Sequence, residues 1–562
     1  MAKLGVYGFA GESRSLHPGI LPETVGTVSL NQRPGYGDLR PWNSPNNVGV
    51  TVASGTKTIY RMNRTVPSDT NFWLRWPTIV HAVVGPNAAG SDERTYYTGS
   101  GTPKWTDLTK AIAGASYPNA FRELGVPAPT AAATVTRTPV VVAGTRTSET
   151  VFYVWTFVTD AGEESAPSPP SNALVIENGD TVSLSGMTPV PSGSYGINRI
   201  RIYRTKTATG ASTEFFYLGE VVSTTTTFTD TGQTLGEVLP TATWITPPAD
   251  LSNLTPMWNG MMAGISGNSV RVCEAYVPYA WPIRYEILPS DTKPLALSTF
   301  GQNLVILTNG KPILVTGSSP DALDEQPIEF LQACVSSESV VNMGTGVAYA
   351  CPDGLAYVGA GGARLLTAGM MGRAEWQAIK PETIKGAMYE NRYYGTYTVA
   401  TVTKMFMIDP ANPSGMYFMD FGVDAMYVDE LQDALYVLQG TSIRKWDAGT
   451  ALTTTFKSKL LILPKPVQSF GWAIVRADAY PVQFTLDVLA MDAAEVSALV
   501  ASGIGFTAIG TTGIRYTQSV TSNSPFRLPG GYTAREFQIQ ISGTSAVQSA
   551  FIAHGVAEFS QP

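Results

Sequence analysis

Between residues 246 and 450 the sequence repeats one unit: a short apolar run, a turn of Gly, Asn or Asp, and a second apolar run. Copies read MMAGISGNSVRVCE at 261–274, LVILTNGKPILVTG at 304–317, VAYACPDGLAYVGAGGARLLT at 347–367, NRYYGTYTVATVTKMFMIDP at 391–410 and ALYVLQGTSIRKWD at 434–447. The dipeptides Gly267-Asn268, Asn309-Gly310 and Asp353-Gly354 tolerate the positive φ that tight hairpins demand. One hairpin cannot bury its apolar face alone. Units recurring every roughly 40–45 residues therefore predict blades stacked about an axis, a β-propeller rather than a stacked sandwich.

The flanking segments read differently. Residues 1–126 hold strand-like pieces, TKTIYRMN at 57–64, TIVHAVVG at 78–85 and ERTYYTGSGTPKWTD at 93–107, with a hairpin at Gly99-Ser100-Gly101. They are expected to form the N-terminal part of the propeller and to close it with the blades of 249–450. The run TDLTKAIAGASYPNAFRELG at 106–125 is expected to be a helix. Residues 127–248 begin with Pro127 and Pro129, end at Pro247-Pro248, and hold several short strands with turn signals between them. That pattern predicts an inserted small β-sandwich of fibronectin or immunoglobulin type, lying outside the ring. Residues 451–562 have longer alternating runs, FTLDVLAMD at 484–492 and REFQIQISG at 535–543, and predict a C-terminal β-sandwich. The expected fold class is all-β: a propeller-like body, an inserted sandwich and a C-terminal sandwich.

Only 14% of residues are charged, against roughly 25% in ordinary globular chains. Such depletion fits surface buried against neighbouring subunits. The net charge is −7 and no Lys/Arg run stands out, so the basic stripe of a nucleic-acid-gripping protein is missing. A surface that phosphates must slide past is better neutral or acidic, because Lys and Arg hold phosphates by counterion release. Cys273, Cys334 and Cys351 have no CxxC spacing and an odd count, which predicts a reducing compartment and no disulfide framework. The opening MAKLGVYGFAGESRSL has no secretory pattern, and no apolar run approaches 18 residues, so no membrane span is expected.

Chemistry is sparse. No Gly-rich phosphate loop ends in Lys-Ser or Lys-Thr; Gly359-Ala360-Gly361-Gly362 lies between strands and reads as a turn. His17, His81 and His554 lie far apart without ligand spacing, so no metal or cofactor is expected. No Gly-x-Ser-x-Gly elbow is present. The enzyme alternative is a propeller glycan hydrolase with aspartate-box turns. Its nearest match, Asp230-Thr231-Gly232-Gln233-Thr234-Leu235, lacks the leading Ser and the Trp and occurs once. Asp353, Asp409, Asp420 and Glu430 could supply a carboxylate pair, but their settings suggest turns and blade ends. Trp258, Tyr276, Tyr279, Trp281 and Tyr285 cluster within about 30 residues, as a sugar platform or, preferably, as blade core or subunit interface. The chain reads as a non-enzyme.

Several strings carry a resemblance. They are Met261-Met262-Ala263-Gly264-Ile265-Ser266-Gly267-Asn268 with Cys273-Glu274, Pro278 and Ala280-Trp281-Pro282; Phe300-Gly301-Gln302 with LVILTNGKPILVTG; Cys351-Pro352-Asp353-Gly354-Leu355; and ERTYYTGSGTPK. Together these resemble virion proteins of bacteriophages, and the general architecture is similar to the tail nozzle, or tail tubular protein B, of short-tailed phages. The resemblance runs from GVYGFAG to the LPKP of 463–466; the insertion at 130–245 is not part of the simplest nozzle pattern. It implies a homohexameric ring below an adaptor (head-to-tail connector) protein, attachment of tail fibres, passage of double-stranded DNA, and a place in the virion after assembly in the host cytoplasm. The rival readings are a receptor-binding or fibre-like tail protein and the glycan hydrolase. If six subunits form a conduit, Lys-free loops should line it. The candidates are 317–323, with Gly317, Ser318 and Ser319, and 359–362, with Gly359, Gly361 and Gly362; the alternative is that both are ordinary rim loops.

Overall fold

The computed structural model describes residues 3–62, 68, 70–86, 93–114, 116–141, 143–187, 190–206, 214–411 and 413–560. Among them the chain forms 46 strands and three short α-helices, so it is all-β. The end of the 57–64 run lies outside the described residues. Two compact units divide the chain: Met1–Asn71, Leu307–Pro312 and Pro327–Pro562 in one, Phe72–Ile306 and Ile313–Gln326 in the other.

In the second unit, each expected hairpin is part of a small antiparallel meander of the propeller-blade kind. One sheet joins His81–Val84, Thr95–Thr98, Lys104–Thr106 and Arg122–Glu123. Another joins Ser252–Pro256, Met262–Ser266 and Ser269–Val272, turning at Gly267 with φ 57°. A third contains the hairpin in which Asn303 faces Thr316 and Ile306 faces Ile313. Met261, Ile265, Val270, Leu304, Ile306 and Val315 form the shared core of the last two sheets. Each such side chain contributes about 1.5–3 kcal/mol on burial.

The insertion packs three small sheets around Tyr153, Trp155, Phe157, Val182, Leu184, Ile200 and Ile202, and is a β-sandwich. Its strand Tyr153–Thr159 pairs on one side with Ile197–Thr205. The other side is covered by the Pro-rich run SAPSPPS. Ser165, Ser168 and Ser171 recur every third residue, the period of an extended polyproline turn, and all three are buried. Each donates its N–H to the strand, to the carbonyls of Phe157, Trp155 and Tyr153 at 2.9–3.0 Å. Each hydroxyl accepts the N–H of the same strand residue at 3.0–3.2 Å. A sheet edge that would otherwise offer a row of free N–H and C=O groups is thereby closed.

The first unit carries blade-type sheets of Val341–Asn342, Gly346–Cys351, Gly354–Gly359 and Gly362–Leu365, and of Lys385–Tyr389, Arg392–Val399, Val402–Ile408 and Tyr417–Met419. A further sheet has Ala425–Asp429, Ala434–Gln439 and Ser442–Lys445, with Asn46–Thr51 as its fourth strand. Ser442 faces Thr51 and Lys445 faces Asn46. The C-terminal sandwich stacks Val547–Ala553 and Trp472–Ala477 over Thr533–Gly543, Val482–Leu489 and Gly513–Val520, with Phe484, Leu486, Phe537, Ile539, Ala550 and Ile552 between them.

Three expectations need correction. Residues 1–126 are not wholly propeller. Leu4–Tyr7 pairs with Val547–Ala553 in the C-terminal sandwich, and Val28–Leu30 bridges that sandwich to Tyr417–Met419 through Leu30 and Phe418. Such pairings between distant residues leave no local period to read. The helix expected at 106–125 covers only Leu108–Ala111, capped by Asp107. Beyond it, Asn119 and Ala120 donate back to the carbonyls of Ala111 and Lys110, and Pro118 lacks the N–H that a continuing helix needs. At Asp353-Gly354 the turn residues are Pro352 and Asp353, and Gly354 already faces Cys351 in the ladder.

Candidate functional site

The loop after Ile313–Thr316 is braced rather than loose. Trp258 Nε1 donates to the Gly317 carbonyl at 2.7 Å, and Asn259 Nδ2 donates to the Ser318 carbonyl at 2.8 Å. Gly317 has φ +147°, and a Cβ there would lie 2.2 Å from the Ala322 carbonyl oxygen, so only glycine fits. Ser319 precedes a short turn of helix at Pro320–Ala322. From that turn Asp321 takes Arg284 at 3.2 Å and the Tyr285 hydroxyl at 3.3 Å. Ser318 itself is exposed.

The second candidate loop is a two-residue turn. Gly359 faces Gly362, with Ala360 and Gly361 between them, and Gly362 has φ 95°. Apart from the flanking residues, no protein atom lies within 4 Å of a Cβ built on Gly361 or Gly362. The two loops belong to different compact units.

The carboxylates considered for catalysis are dispersed. Asp353 takes Arg373 and accepts from Gln332 Nε2 at 2.6 Å. Asp409 sits 3.7 Å from Arg392 and accepts the Ala411 N–H. Asp420 donates its own N–H to Asn31 Oδ1 at 3.2 Å. Glu430 is exposed on the turn after Ala425–Asp429. Among the described residues no hydrogen bond joins any two of the four. Asp230, in the partial aspartate box, is buried and accepts from Tyr153 Oη at 2.9 Å and from Arg204 at 2.7 Å. It is a brace of the inserted sandwich.

All of the aromatic cluster but Tyr276 lies in the core or packs against it. Trp281 packs with Val83, Tyr96, Trp105, Leu254 and Met262, and its Nε1 donates to the Pro278 carbonyl. Tyr285 is also buried. Tyr276, 54% exposed, does not make a stacking platform by itself. His554 stacks on Phe470 at 4.6 Å, His17 Nδ1 accepts the Gly19 N–H, and burial pushes His81 down to about 4. Burial raises the thiols, to about 12 for Cys273 and Cys334 and about 11 for Cys351, which makes them poor nucleophiles. Among the described residues no group of three His, Cys, Asp or Glu could hold a metal ion, and no helix is long and apolar enough to cross a membrane.

One perturbed carboxylate was not singled out in the sequence. Glu163, in the acidic turn DAGEES, is buried; burial pushes it up to about 7, against the pull of Arg94 at 3.0 Å. Its neighbour Glu164 accepts from Thr156 and Tyr203 hydroxyls at 2.6 Å and from Arg201 at 2.7 Å. The signal was the paired acids at the end of an apolar strand.

No protein-family profile matches the sequence, and no curated protein is similar to it. Among solved structures, a streptogramin B lyase aligns at 10% identity over 66% of this chain and 98% of its own, with a TM-score of 0.26. The WD40 domain of Neurospora crassa Pan2 aligns at 7% identity over 50% of this chain and 86% of its own, TM-score 0.25. An exo-β-1,3-galactanase from Phanerochaete chrysosporium aligns at 8% identity over 90% of this chain and 99% of its own, TM-score 0.18. Superpositions this loose add nothing to what the sheets themselves establish.

Proposed function

We propose that the chain is a non-enzymatic structural subunit of a phage virion, the nozzle that closes the tail tube of a short-tailed phage. Six copies form a ring that retains DNA and conducts it during ejection. The observation behind this reading is where the resembling strings fall. Those at 261–274, 304–317, 351–355 and 93–104 all fall on hairpins of the small blade-type sheets. What the resemblance covers is thus scaffold rather than a catalytic constellation. The carboxylates Asp230, Asp353 and Asp409 are engaged in bracing loops and turns. The low charge suits a surface covered by neighbouring copies and passed by DNA. The adaptor above the ring and the tail fibres are the expected partners, with assembly in the host cytoplasm.

The test is labelling of the protein in intact particles, with imaging of the tail, together with the oligomeric state of the purified chain. A ring of six at the tail end supports the nozzle. A trimer supports a fibre or spike, and turnover of host polysaccharide supports the hydrolase.

A further inference from the structure

A groove of about 460 Å³ opens in the first unit beside the hairpin of Arg392–Val399 and Val402–Ile408. Val399 faces Val402, and Tyr397 faces Lys404, so all four side chains share one face of the hairpin. Ile379 and Arg14 complete the wall. Val402 is 56% exposed. Arg14 pairs with Glu12 at 2.7 Å and lies 4.5 Å from the Phe418 ring centroid, with its side chain 43% exposed. Lys404 is exposed at the edge, and the lining carboxylate is Glu375. The groove is therefore apolar within, with Glu375 as its lining carboxylate, Arg14 already matched by Glu12, and exposed Lys404 as the cation at its rim. It suits a branched apolar side chain with a carboxylate beside it to meet Lys404.

The chain offers such a segment on its own surface. The turn Asp429-Glu430-Leu431-Gln432-Asp433 exposes Leu431 at 63%, between exposed Glu430 and Asp433. It is held in shape: Asp429 Oδ1 accepts the N–H groups of Leu431 and Gln432 at 3.2 Å. The turn cannot reach the groove of its own chain. Lys385 faces Thr396 near the groove end and donates to the Asp424 carbonyl; Tyr389 faces Arg392 at the other end and donates to the Asp433 carbonyl. The turn and the groove thus sit at opposite ends of neighbouring sheets, roughly 25 Å apart for strands of this length at about 3.3 Å per residue.

The geometry points to a head-to-tail contact in which the 429–433 turn of one copy seats Leu431 in the groove of the next, with Glu430 against Lys404. Unlike surfaces meet, so the contact is heterologous, the kind that generates closed rings or open filaments. It deepens the ring reading and rests on it for the presence of a neighbouring copy.

The test is a full-length chain carrying Val402→Cys and Leu431→Cys, oxidised and run on a non-reducing gel. The three native cysteines are buried. The expected result is a covalent ladder beyond the dimer, absent from either single variant. Lys404→Glu should weaken self-association at least tenfold, and adding Glu430→Lys to the same chain should restore it. A chain that sediments as an oligomer yet gives no ladder overturns this contact and leaves the ring reading standing. A wild-type chain that stays monomeric at its highest soluble concentration overturns both.

Discussion

Arg61 Nη1 donates to Asp429 Oδ2 at 3.1 Å, and neither side chain has any exposure to solvent. The pair joins residues 368 apart in sequence, and the same Asp429 carboxylate shapes the 429–433 turn through its other oxygen. Removing one partner of a buried ion pair leaves an uncompensated charge, at a cost of about 3–5 kcal/mol. Arg61→Met should destabilise the first unit by that order in denaturant unfolding. Adding Asp429→Asn keeps an acceptor for the turn, removes the stranded charge, and should recover most of the loss. No recovery in the double variant would contradict this account.

Glu163 gives the second unit a pH dependence of defined sign. Its folded pKa is raised to about 7 from the ordinary 4.5, with burial as the largest cause. Between these values the folded state binds more protons than the unfolded state, so stability falls as pH rises through this window and levels off above it. Glu163→Gln should flatten the profile and leave the unit more stable at pH 8 by about 1–3 kcal/mol. Thermal unfolding of both proteins from pH 4 to 9 measures it; parallel profiles would rule the assignment out.

The serine ladder of the insertion makes a local prediction. Ser168→Ala deprives the buried Trp155 N–H of its acceptor. An unsatisfied buried donor costs about 1–3 kcal/mol. Hydrogen exchange at the Trp155 amide should quicken in the variant, with amides of the C-terminal sandwich unaffected.

The sandwich of 127–248 has its own core of Val151, Tyr153, Trp155, Phe157, Ile200 and Ile202. Expressed alone, this segment should give a β-type circular dichroism spectrum and a cooperative melt. A spectrum of disordered chain would count against an independent domain.

Lysines placed in a loop that lines a DNA path add phosphate contacts and salt dependence. Ser318→Lys with Ser319→Lys should slow DNA ejection from particles at low salt and much less at high salt. The carbonyls of Gly317 and Ser318 are tied to Trp258 and Asn259, so the added ammonium groups would project from a fixed loop. Unchanged ejection at both salts would remove this loop from the path.

What could be read in the sequence was local. Hairpins at Gly99-Ser100-Gly101, Gly267-Asn268 and Asn309-Gly310 are encoded within a dozen residues, by turn chemistry and alternation, and each lies between paired strands. The Pro-rich borders marked the insertion for the same reason. Ser165, Ser168 and Ser171 were visible only as a bend, because their period of three matters only against the strand they cover. The closure of the Ala425–Lys445 sheet by Asn46–Thr51, and the Arg61–Asp429 pair, join positions hundreds of residues apart, and neither end carries a mark of the other. The candidate site fared likewise. The sequence marks turns at 317–323 and 359–362, but the brace on one and the openness of the other depend on neighbours in space.

The strand Leu4–Tyr7 lies against Val547–Ala553, and Asn46–Thr51 completes a sheet made otherwise from 425–445. During synthesis at about 5–20 residues per second, the first of these strands waits roughly half a minute or longer for its partner. Through that interval the early strands have unsatisfied edges and are open to wrong pairing. Completion of the first unit therefore waits on residues 547–553. A product stopped before residue 547 lacks the strand with which Leu4–Tyr7 pairs, and leaves that edge of Leu4–Tyr7 open as well.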